Sequence, residues 1–166
     1  KEYNQMIVIT GQVEEIVRNS GIKDGVVFII TNHTTTGITV NEGLECIQSD
    51  IMEMLGKVAP EEGIYSHARF LESYGAMANN APGHLKGHLT GNHCVFEVQN
   101  HEMKRRFAQE IYLCEFDGPQ ERTISVIIMG EEAEIQPAEA AISISNKTPE
   151  RSRRAAPALA FLCAVC

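Results

Sequence analysis

Positively charged residues are scarce in this sequence, and their scarcity argues against two classes of partner. The 166 residues include 14 Lys and Arg against 22 Asp and Glu, so the formal net charge is −8. Proteins that bind duplex DNA or an anionic membrane surface need clustered Lys and Arg. We therefore expect no nucleic-acid partner and no membrane partner, although a local basic pocket for a small phosphate remains compatible with this composition.

Long apolar stretches and a disulfide framework are also missing. No apolar run approaches the roughly 18 residues of a membrane-spanning helix, and the most apolar late stretch, ALAFLCAVC, covers residues 158–166. The five cysteines are odd in number and not densely spaced, which fits reduced thiols better than a disulfide scaffold. These features predict a cytoplasmic protein, and a chain of this length is most simply one domain with a real core.

Strand-like and helix-like patterns alternate along the chain and predict an α+β fold. Apolar residues at helical spacing mark helices near 12–19, 44–55 and 83–89. Runs rich in β-branched residues predict strands at 6–10, 26–31, 36–40, 94–98, 110–116 and 122–130, with DGPQ at 117–120 as a hairpin turn between the last two. After Gly130 the composition becomes acidic and Ala-rich, then polar and basic. We therefore predict a domain at 1–130 and a poorly ordered tail at 131–166, with room for one short strand or helix.

Histidines are the first candidates for chemistry. His33 ends a predicted buried strand, His67 lies in an irregular segment and His84 opens a predicted helix, so each could project into a cleft from a rigid element. Three imidazoles could bind a divalent metal with an open position, or act as acid and base. Three separately hydrogen-bonded histidines are the alternative, because separation in sequence does not show convergence in space. His84 and His88 form another candidate pair at i, i+4, a spacing that also occurs by chance.

Hydroxyl, cationic and acidic side chains could complete such a site. Thr34 and Thr35 supply hydroxyl donors, and Lys86 and Arg122 supply charge suited to phosphate oxygens. The ordinary alternatives are strand propensity for the threonines and a surface ion pair for the arginine. Glu42 could be a general base or a metal ligand, although a carboxylate there also favours the N-terminus of the following helix.

Four blocks of sequence, in order, resemble one known family. NHTTTGITVNE at 32–42 is similar to the HTTA and NE signature of the YjbQ-like family, also called secondary thiamine-phosphate synthases. The similarity continues through YSH at 65–67, NNAPGHLKGHLTG at 79–91 and QEIYLCEFDGPQERTISVIIMG at 109–130. It covers nearly all of the chain before the predicted tail.

The resemblance implies an α+β fold with β-sandwich-like mixed sheets and two to three helices, assembled as a homotrimer. It also implies a weak transferase activity that joins a hydroxymethylpyrimidine diphosphate to a thiazole phosphate and releases pyrophosphate. The site is associated with the histidines matched by His33, His67 and His84, together with the matched Lys86 and Gln109. A divalent metal of unknown identity or an anion is expected in that cleft. A non-catalytic, oligomeric protein that binds a small anion or metal, and a degenerate, inactive family member, are the alternatives.

Several positions depart from the family pattern. Ala108 stands where relatives carry a tryptophan, and Arg106 replaces a glycine. The missing indole predicts a large cavity or an uncovered surface unless Phe107 or a neighbour refills the space. Asn79 replaces an aspartate that could orient a histidine or bind metal. His88 falls where relatives carry a small or apolar residue, which lowers the weight of the i, i+4 pair. The three matched histidines remain in place.

Overall fold

The computed structural model describes residues 2–69 and 80–132, together with the backbone of a C-terminal strand. The helices of these ranges are α1 (Thr10–Asn19), α2 (Glu45–Val58), α3 (Ser66–Arg69) and α4 (Ala81–Thr90). The strands are β1 (Gln5–Val8), β2 (Ile22–Thr31), β3 (Thr36–Glu42), β4 (His93–Gln99), β5 (Glu102–Met103), β6 (Gln109–Glu115), β7 (Thr123–Glu132) and β8 (Ala158–Val165). The predicted α+β class is confirmed. None of the described helices is long and apolar enough to cross a membrane.

The strands form two sheets. A three-stranded sheet has the order β1-β6-β3, and a five-stranded sheet has the order β5-β4-β2-β7-β8. Every described strand pair is antiparallel, where mixed sheets were expected. Because β6 and β7 belong to different sheets, DGPQ at 117–120 carries the chain from one sheet to the other. The prediction of a hairpin turn at this position was wrong, since a turn sequence does not specify which strand becomes the partner.

The main hydrophobic core contains residues from both sheets and from α1. Val13 and Val17 are buried on α1, one helical turn apart. On β2, Val27 and Ile29 are buried at the two-residue period of a strand that turns one face to the core. Each fully buried side chain of this size contributes about 1.5–3 kcal/mol relative to an exposed one.

The central strand β6 is buried on both faces. Ile111 and Leu113 belong to the main core. Tyr112 and Cys114 alternate with them and belong to a second cluster that includes Leu55 of α2. Cys114 is therefore a packed strand residue. This position at the centre of the three-stranded sheet explains why β6 has such a continuous apolar sequence.

Two glycines bring α4 close to the backbone of neighbouring segments. A Cβ at Gly87 would lie 2.9 Å from the carbonyl oxygens of both Thr34 and Thr36, and one at Gly83 would lie 2.7 Å from the carbonyl oxygen of Phe116. Ordinary side chains cannot be accommodated at such distances without a shift of backbone. Gly87 therefore sets how closely α4 approaches the loop that joins β2 to β3, and Gly83 sets how closely it approaches the chain just after β6.

Part of the predicted tail is a strand. β8 runs antiparallel to β7, from Ala158 opposite Gly130 to Val165 opposite Thr123. It adds a strand to the side of β7 that faces away from β2. The prediction left room for one short strand in this region, and pairing with an available sheet edge is the reason why an apolar stretch forms one. Residues 133–157 lie outside the described residues.

Candidate functional site

A cavity of about 410 Å³ lies between the β2–β3 loop and α4. His33 and Thr34 line it from the loop, His84 and His88 line it from the helix, and Asn92 lines it just before β4. His84 and His88 both reach the cavity because residues four apart lie on the same side of a helix. No carboxylate is among its lining residues in the part of the chain that the structure describes.

Hydrogen bonds hold His33 through its ring and through its backbone. The backbone N–H of Thr123 donates to Nε2 of His33 at 3.0 Å. The hydroxyl of Thr36 donates to the carbonyl oxygen of His33 at 3.0 Å, and the N–H of His33 donates to the hydroxyl oxygen of Thr31 at 3.4 Å. The two buried hydroxyl oxygens of Thr31 and Thr36 are themselves 2.5 Å apart. The end of β2, the start of β3 and the start of β7 therefore all contribute to the position of His33.

His67 is connected to the cavity through His84. The two imidazole rings are stacked, with centroids 5.3 Å apart and planes 24° from parallel. Burial is the main cause that lowers the pKa of His84, and the nearby His67 lowers it further while Asp117 opposes the shift. His84 therefore remains neutral to a lower pH than an ordinary histidine. The predicted trio is brought together as a chain of neighbours, in which His33 and His84 share the cavity and His67 lies against His84.

The described residues do not meet the geometry of a three-ligand metal centre. In residues 2–69 and 80–132, no three His, Cys, Asp or Glu side chains are grouped so that they could hold a metal ion. The Nε2 lone pair of His33 already accepts a hydrogen bond, and a metal would need the lone pair of a ring nitrogen. The trio as arranged here therefore does not fit the predicted divalent metal, and metal binding stays a prediction for experiment.

Lys86 lies on the flank of α4 away from His84. Two residues along a helix correspond to a rotation of about 200°. The side chain of Lys86 is 3% exposed, and its ammonium group pairs with the carboxylate of Glu61 and donates to Oδ1 of Asn4 at 3.3 Å. It lines a separate cavity of about 750 Å³. The prediction placed Lys86 in the same site as the histidines. Within one chain, Lys86 instead lies away from the histidine cavity.

Arg122 and Thr35 are part of a buried network. The Arg122 guanidinium contacts both carboxylate oxygens of Glu115, and its Nη2 donates to the hydroxyl oxygen of Thr35 at 3.1 Å. The hydrogen bonds to Glu115 raise the pKa of Arg122, and the charge of Asp117 adds to the effect. The predicted role of Arg122 and Thr35 in phosphate binding is therefore not supported, because both groups already have partners inside the protein.

Glu42 and Gln109 lie at the far end of the β3–β6 ladder. They are opposite each other, whereas Thr36 at the other end of β3 is opposite Glu115. Six strand steps separate Thr36 from Glu42, or about 20 Å. Within one chain neither residue is brought to the histidine cavity. Glu42 instead lines a cavity of about 580 Å³ with Ala108.

The space beside Ala108 is not refilled by its neighbour. The side chain of Phe107 is 100% exposed, and it borders the same 580 Å³ cavity as Ala108. The expected consequence of the missing tryptophan, a cavity or an uncovered surface, is therefore observed. Asn79, the other departure near the predicted site, lies outside the described residues.

Sequence reasoning missed some of the residues that line the histidine cavity. His88 was considered for its i, i+4 spacing and then given less weight because of the family comparison. That spacing brings His88 to the cavity beside His84, whereas the metal pair predicted from it stays a prediction. Asn32 and Asn92 also line the cavity. No local pattern indicates them, because the β2–β3 loop and the residues before β4 meet only when the sheets assemble.

The geometry defines a small α+β protein in which two antiparallel sheets support a cavity lined by imidazoles. The chain belongs to the YjbQ-like family, described as "UPF0047 protein YjbQ-like", which matches residues 1–131. A UPF0047 protein of Archaeoglobus fulgidus is 37% identical over 122 residues, covering 74% of this chain and 89% of the relative. The UPF0047 protein YugU of Bacillus subtilis is 33% identical over 129 residues, covering 76% and 91%.

Solved structures agree with this assignment. A YbjQ-like protein of unknown function from Sulfolobus solfataricus superposes with a TM-score of 0.73 at 33% identity, covering 79% of this chain and 91% of that one. An uncharacterized protein of the same family from Clostridium acetobutylicum gives a TM-score of 0.69 at 35% identity, covering 77% and 93%. The family match ends within β7, so β8 lies beyond the segment shared with the family.

Proposed function

We propose that this protein is a transferase that joins a hydroxymethylpyrimidine diphosphate to a thiazole phosphate and releases pyrophosphate. The observation that supports the proposal is the histidine cavity, which combines His33, His84 and His88 with hydroxyl and amide groups and has no carboxylate among its described lining residues. The whole chain has a net charge of −8. A cavity with hydrogen-bond donors and without acidic neighbours is where such a chain can accept an anionic phosphate group.

The reaction requires little from the protein beyond binding and charge stabilisation. The bond between the pyrimidine methylene carbon and the diphosphate oxygen breaks, and its electron pair leaves with the diphosphate. The lone pair of the thiazole nitrogen then forms the new C–N bond. No protein nucleophile is needed, which agrees with Cys114, whose burial raises its pKa to about 12. Positioning of the two substrates and hydrogen bonds to the departing diphosphate are the contributions expected from the cavity.

The proposal assigns the stabilisation of the diphosphate to the imidazoles. Lys86 and Arg122 were the predicted cationic partners, but each is paired with a carboxylate in this structure. His84 has a lowered pKa, and an anion bound beside it would favour the protonated imidazole. Diphosphate binding is therefore expected to take up a proton and to strengthen as the pH falls.

Calorimetric titration with sodium diphosphate and an assay of thiamine phosphate formation test the proposal. We expect His33→Gln and His88→Ala each to lower diphosphate affinity by about tenfold or more, because a hydrogen bond to a charged group contributes about 1.5–3 kcal/mol. His101→Asn is the matched control, since His101 lies between β4 and β5 with its N–H bonded to the carbonyl of Lys23. Equal trace rates of thiamine phosphate formation for the wild type and His33→Gln would rule out the proposed transferase activity.

A non-catalytic protein that binds small anions is the second candidate. It is favoured by the ion pairs that engage Lys86 and Arg122 and by the open space beside Ala108. Diphosphate binding that requires His88, without any product formation, would select it. Metal content of the purified protein and its mass by light scattering test the expected divalent metal and homotrimer in the same preparation.

A further inference from the structure

We infer that the hydroxyls of Thr31 and Thr36 and the backbone N–H of Thr123 hold neutral His33 as its Nδ1–H tautomer. In this form His33 offers a ligand a hydrogen-bond donor, and it is neither a base through Nε2 nor a metal ligand. The role toward a ligand rests on the proposed function, whereas the tautomer is a property of the protein alone. Thr31 and Thr36 are thereby positioning residues.

The ring contact determines which nitrogen carries the proton. The backbone N–H of Thr123 lies 3.0 Å from Nε2 of His33, and a backbone N–H can only donate. Nε2 must therefore present its lone pair. A neutral imidazole has one N–H, so its proton is on Nδ1. An unrestrained imidazole in water exchanges between its two tautomers, and this contact removes that choice.

The place of this contact in the sheet explains why it is made. The β2–β7 ladder ends with Thr31 opposite Ile124, and Thr123, the first residue of β7, lies one position beyond that pair. His33 follows β2 by two residues, so its ring lies where the ladder has stopped. The imidazole nitrogen takes the part of a backbone carbonyl and accepts the N–H of Thr123. Native proteins rarely leave a backbone N–H without an acceptor, so the sheet itself favours this orientation of the ring.

The hydroxyl contacts have one arrangement that satisfies all of them. Thr36 donates its proton to the carbonyl oxygen of His33. In the 2.5 Å contact between the hydroxyls, Thr31 must then be the donor and Thr36 the acceptor. The N–H of His33 donates to the hydroxyl oxygen of Thr31. The backbone of His33 and two buried hydroxyls thus form a closed ring of hydrogen bonds, which fixes the backbone while the Thr123 contact fixes the imidazole.

Nitrogen NMR of the ligand-free protein measures the tautomer directly. In a sample with ¹⁵N-labelled histidines at about pH 8, correlations between ring nitrogens and ring carbon-bound hydrogens distinguish the protonated nitrogen from the bare one. His33→Gln identifies the His33 signals by their loss. We expect Nδ1 of His33 to be protonated and Nε2 to be bare. A dominant Nε2–H form overturns the inference.

Substitutions test the part played by the hydroxyls. Thr36→Val removes the donor to the His33 carbonyl, and we expect the His33 signals to move toward a mixture of tautomers. Thr36→Ser keeps the hydroxyl and is expected to restore the single tautomer. Thr39→Val is the matched control on the same strand and is expected to leave it unchanged. If Thr36→Val folds and the His33 tautomer is unaltered, Thr36 does not help to hold that tautomer. If Thr36→Val does not fold, Thr31→Val removes the other hydroxyl and is expected to give the same mixture of tautomers, and the wild-type spectrum still decides whether the Nδ1–H form exists.

Two titrations separate this inference from the proposed function. Sodium diphosphate is expected to shift the Nδ1–H signal of His33 without changing the tautomer, and Zn²⁺ is expected to leave the His33 signals in place. Conversion of the His33 signals by Zn²⁺ overturns the inference. If His33 is in the Nδ1–H form but its signals do not respond to diphosphate, the inference about the tautomer holds and the proposed function is wrong. If diphosphate binds and His33 is in the Nε2–H form, the proposed function is retained and the inference about the tautomer is wrong.

Discussion

Arg122 and Glu115 form a buried ion pair with two contacts, from Nε to Oε2 at 2.5 Å and from Nη2 to Oε1 at 2.7 Å. The two side chains are 6% and 5% exposed. Glu115 ends β6 and Arg122 precedes β7, so the pair links the two sheets beside the segment that crosses between them. The guanidinium also bonds the hydroxyl of Thr35 in the loop of His33. The pair therefore supports the wall of the cavity and does not contribute to its lining.

Removal of one partner is expected to destabilise the protein strongly. Arg122→Met leaves the Glu115 carboxylate buried without its counter-charge, and we expect a loss of about 3 kcal/mol or more in the free energy of unfolding. Urea denaturation followed by circular dichroism measures it. Lys57→Met is the control, because Lys57 is 72% exposed and its i, i+4 pair with Glu53 is expected to contribute about 0–1 kcal/mol. Equal losses for the two variants would contradict the structural role of Arg122.

The close approach of α4 predicts opposite effects for two glycine substitutions. The Cβ of Gly87→Ala would meet the carbonyl oxygens of Thr34 and Thr36 at 2.9 Å, so we expect a destabilisation of about 1–3 kcal/mol. Gly56 of α2 has nothing within 4 Å of such a Cβ. Gly56→Ala should therefore stabilise the protein by about 0.5–1 kcal/mol through its better helix propensity. Thermal unfolding of both variants checks the signs, and a stabilising Gly87→Ala would be incompatible with the described packing.

The lowered pKa of His84 predicts a loss of stability in acid. Burial and the neighbouring His67 hold its pKa below the ordinary value of 6.5, while Asp117 acts in the opposite direction. As the pH falls through 6.5, the unfolded chain binds a proton that the folded protein does not yet bind at His84. The free energy of unfolding therefore falls with pH in this window, and the loss is complete below the folded pKa.

A variant isolates this contribution. Urea unfolding between about pH 7.5 and pH 5 should show a steeper decline in stability for the wild type than for His84→Gln, which cannot titrate at this position. His93→Gln, a substitution of an exposed histidine on β4, is the control and should keep the slope of the wild type. If the free energy of unfolding falls equally with pH in the wild type and in His84→Gln, the folded protein does not oppose protonation of His84.

The cysteines are expected to differ in reactivity. The thiolate is the reactive form, and burial raises the pKa of Cys94 and of Cys114 to about 12. Cys46 is exposed on α2. In the native protein at about pH 7.5, iodoacetamide should label Cys46 well before Cys94 or Cys114, as measured by peptide mass spectrometry. Unfolding in urea should remove the difference in labelling rate. Early labelling of Cys114 in the native protein would contradict its packing in the second cluster.

The secondary structure was largely predictable because local patterns encode it. The apolar spacing on α1 and α2 and the β-branched runs of β2 and β7 gave helices and strands near the observed positions. β5 was missed because a strand of two residues has no measurable period. The partner of β6 was also mistaken, because DGPQ has the composition of a tight turn whether it joins two paired strands or two sheets.

By itself, the sequence determined the family, the α+β class and the presence of histidines at the ends of a strand and a helix. The tertiary structure decided which of them meet. Helical period separates Lys86 from His84 by about 200°, but only the packing of Gly87 against the β2–β3 loop turns the histidine flank toward His33. The partners of Lys86 and Arg122 likewise became known only from the fold. Long-range contacts determine which face of each helix or strand is packed. The local sequence does not determine which segment that face will contact.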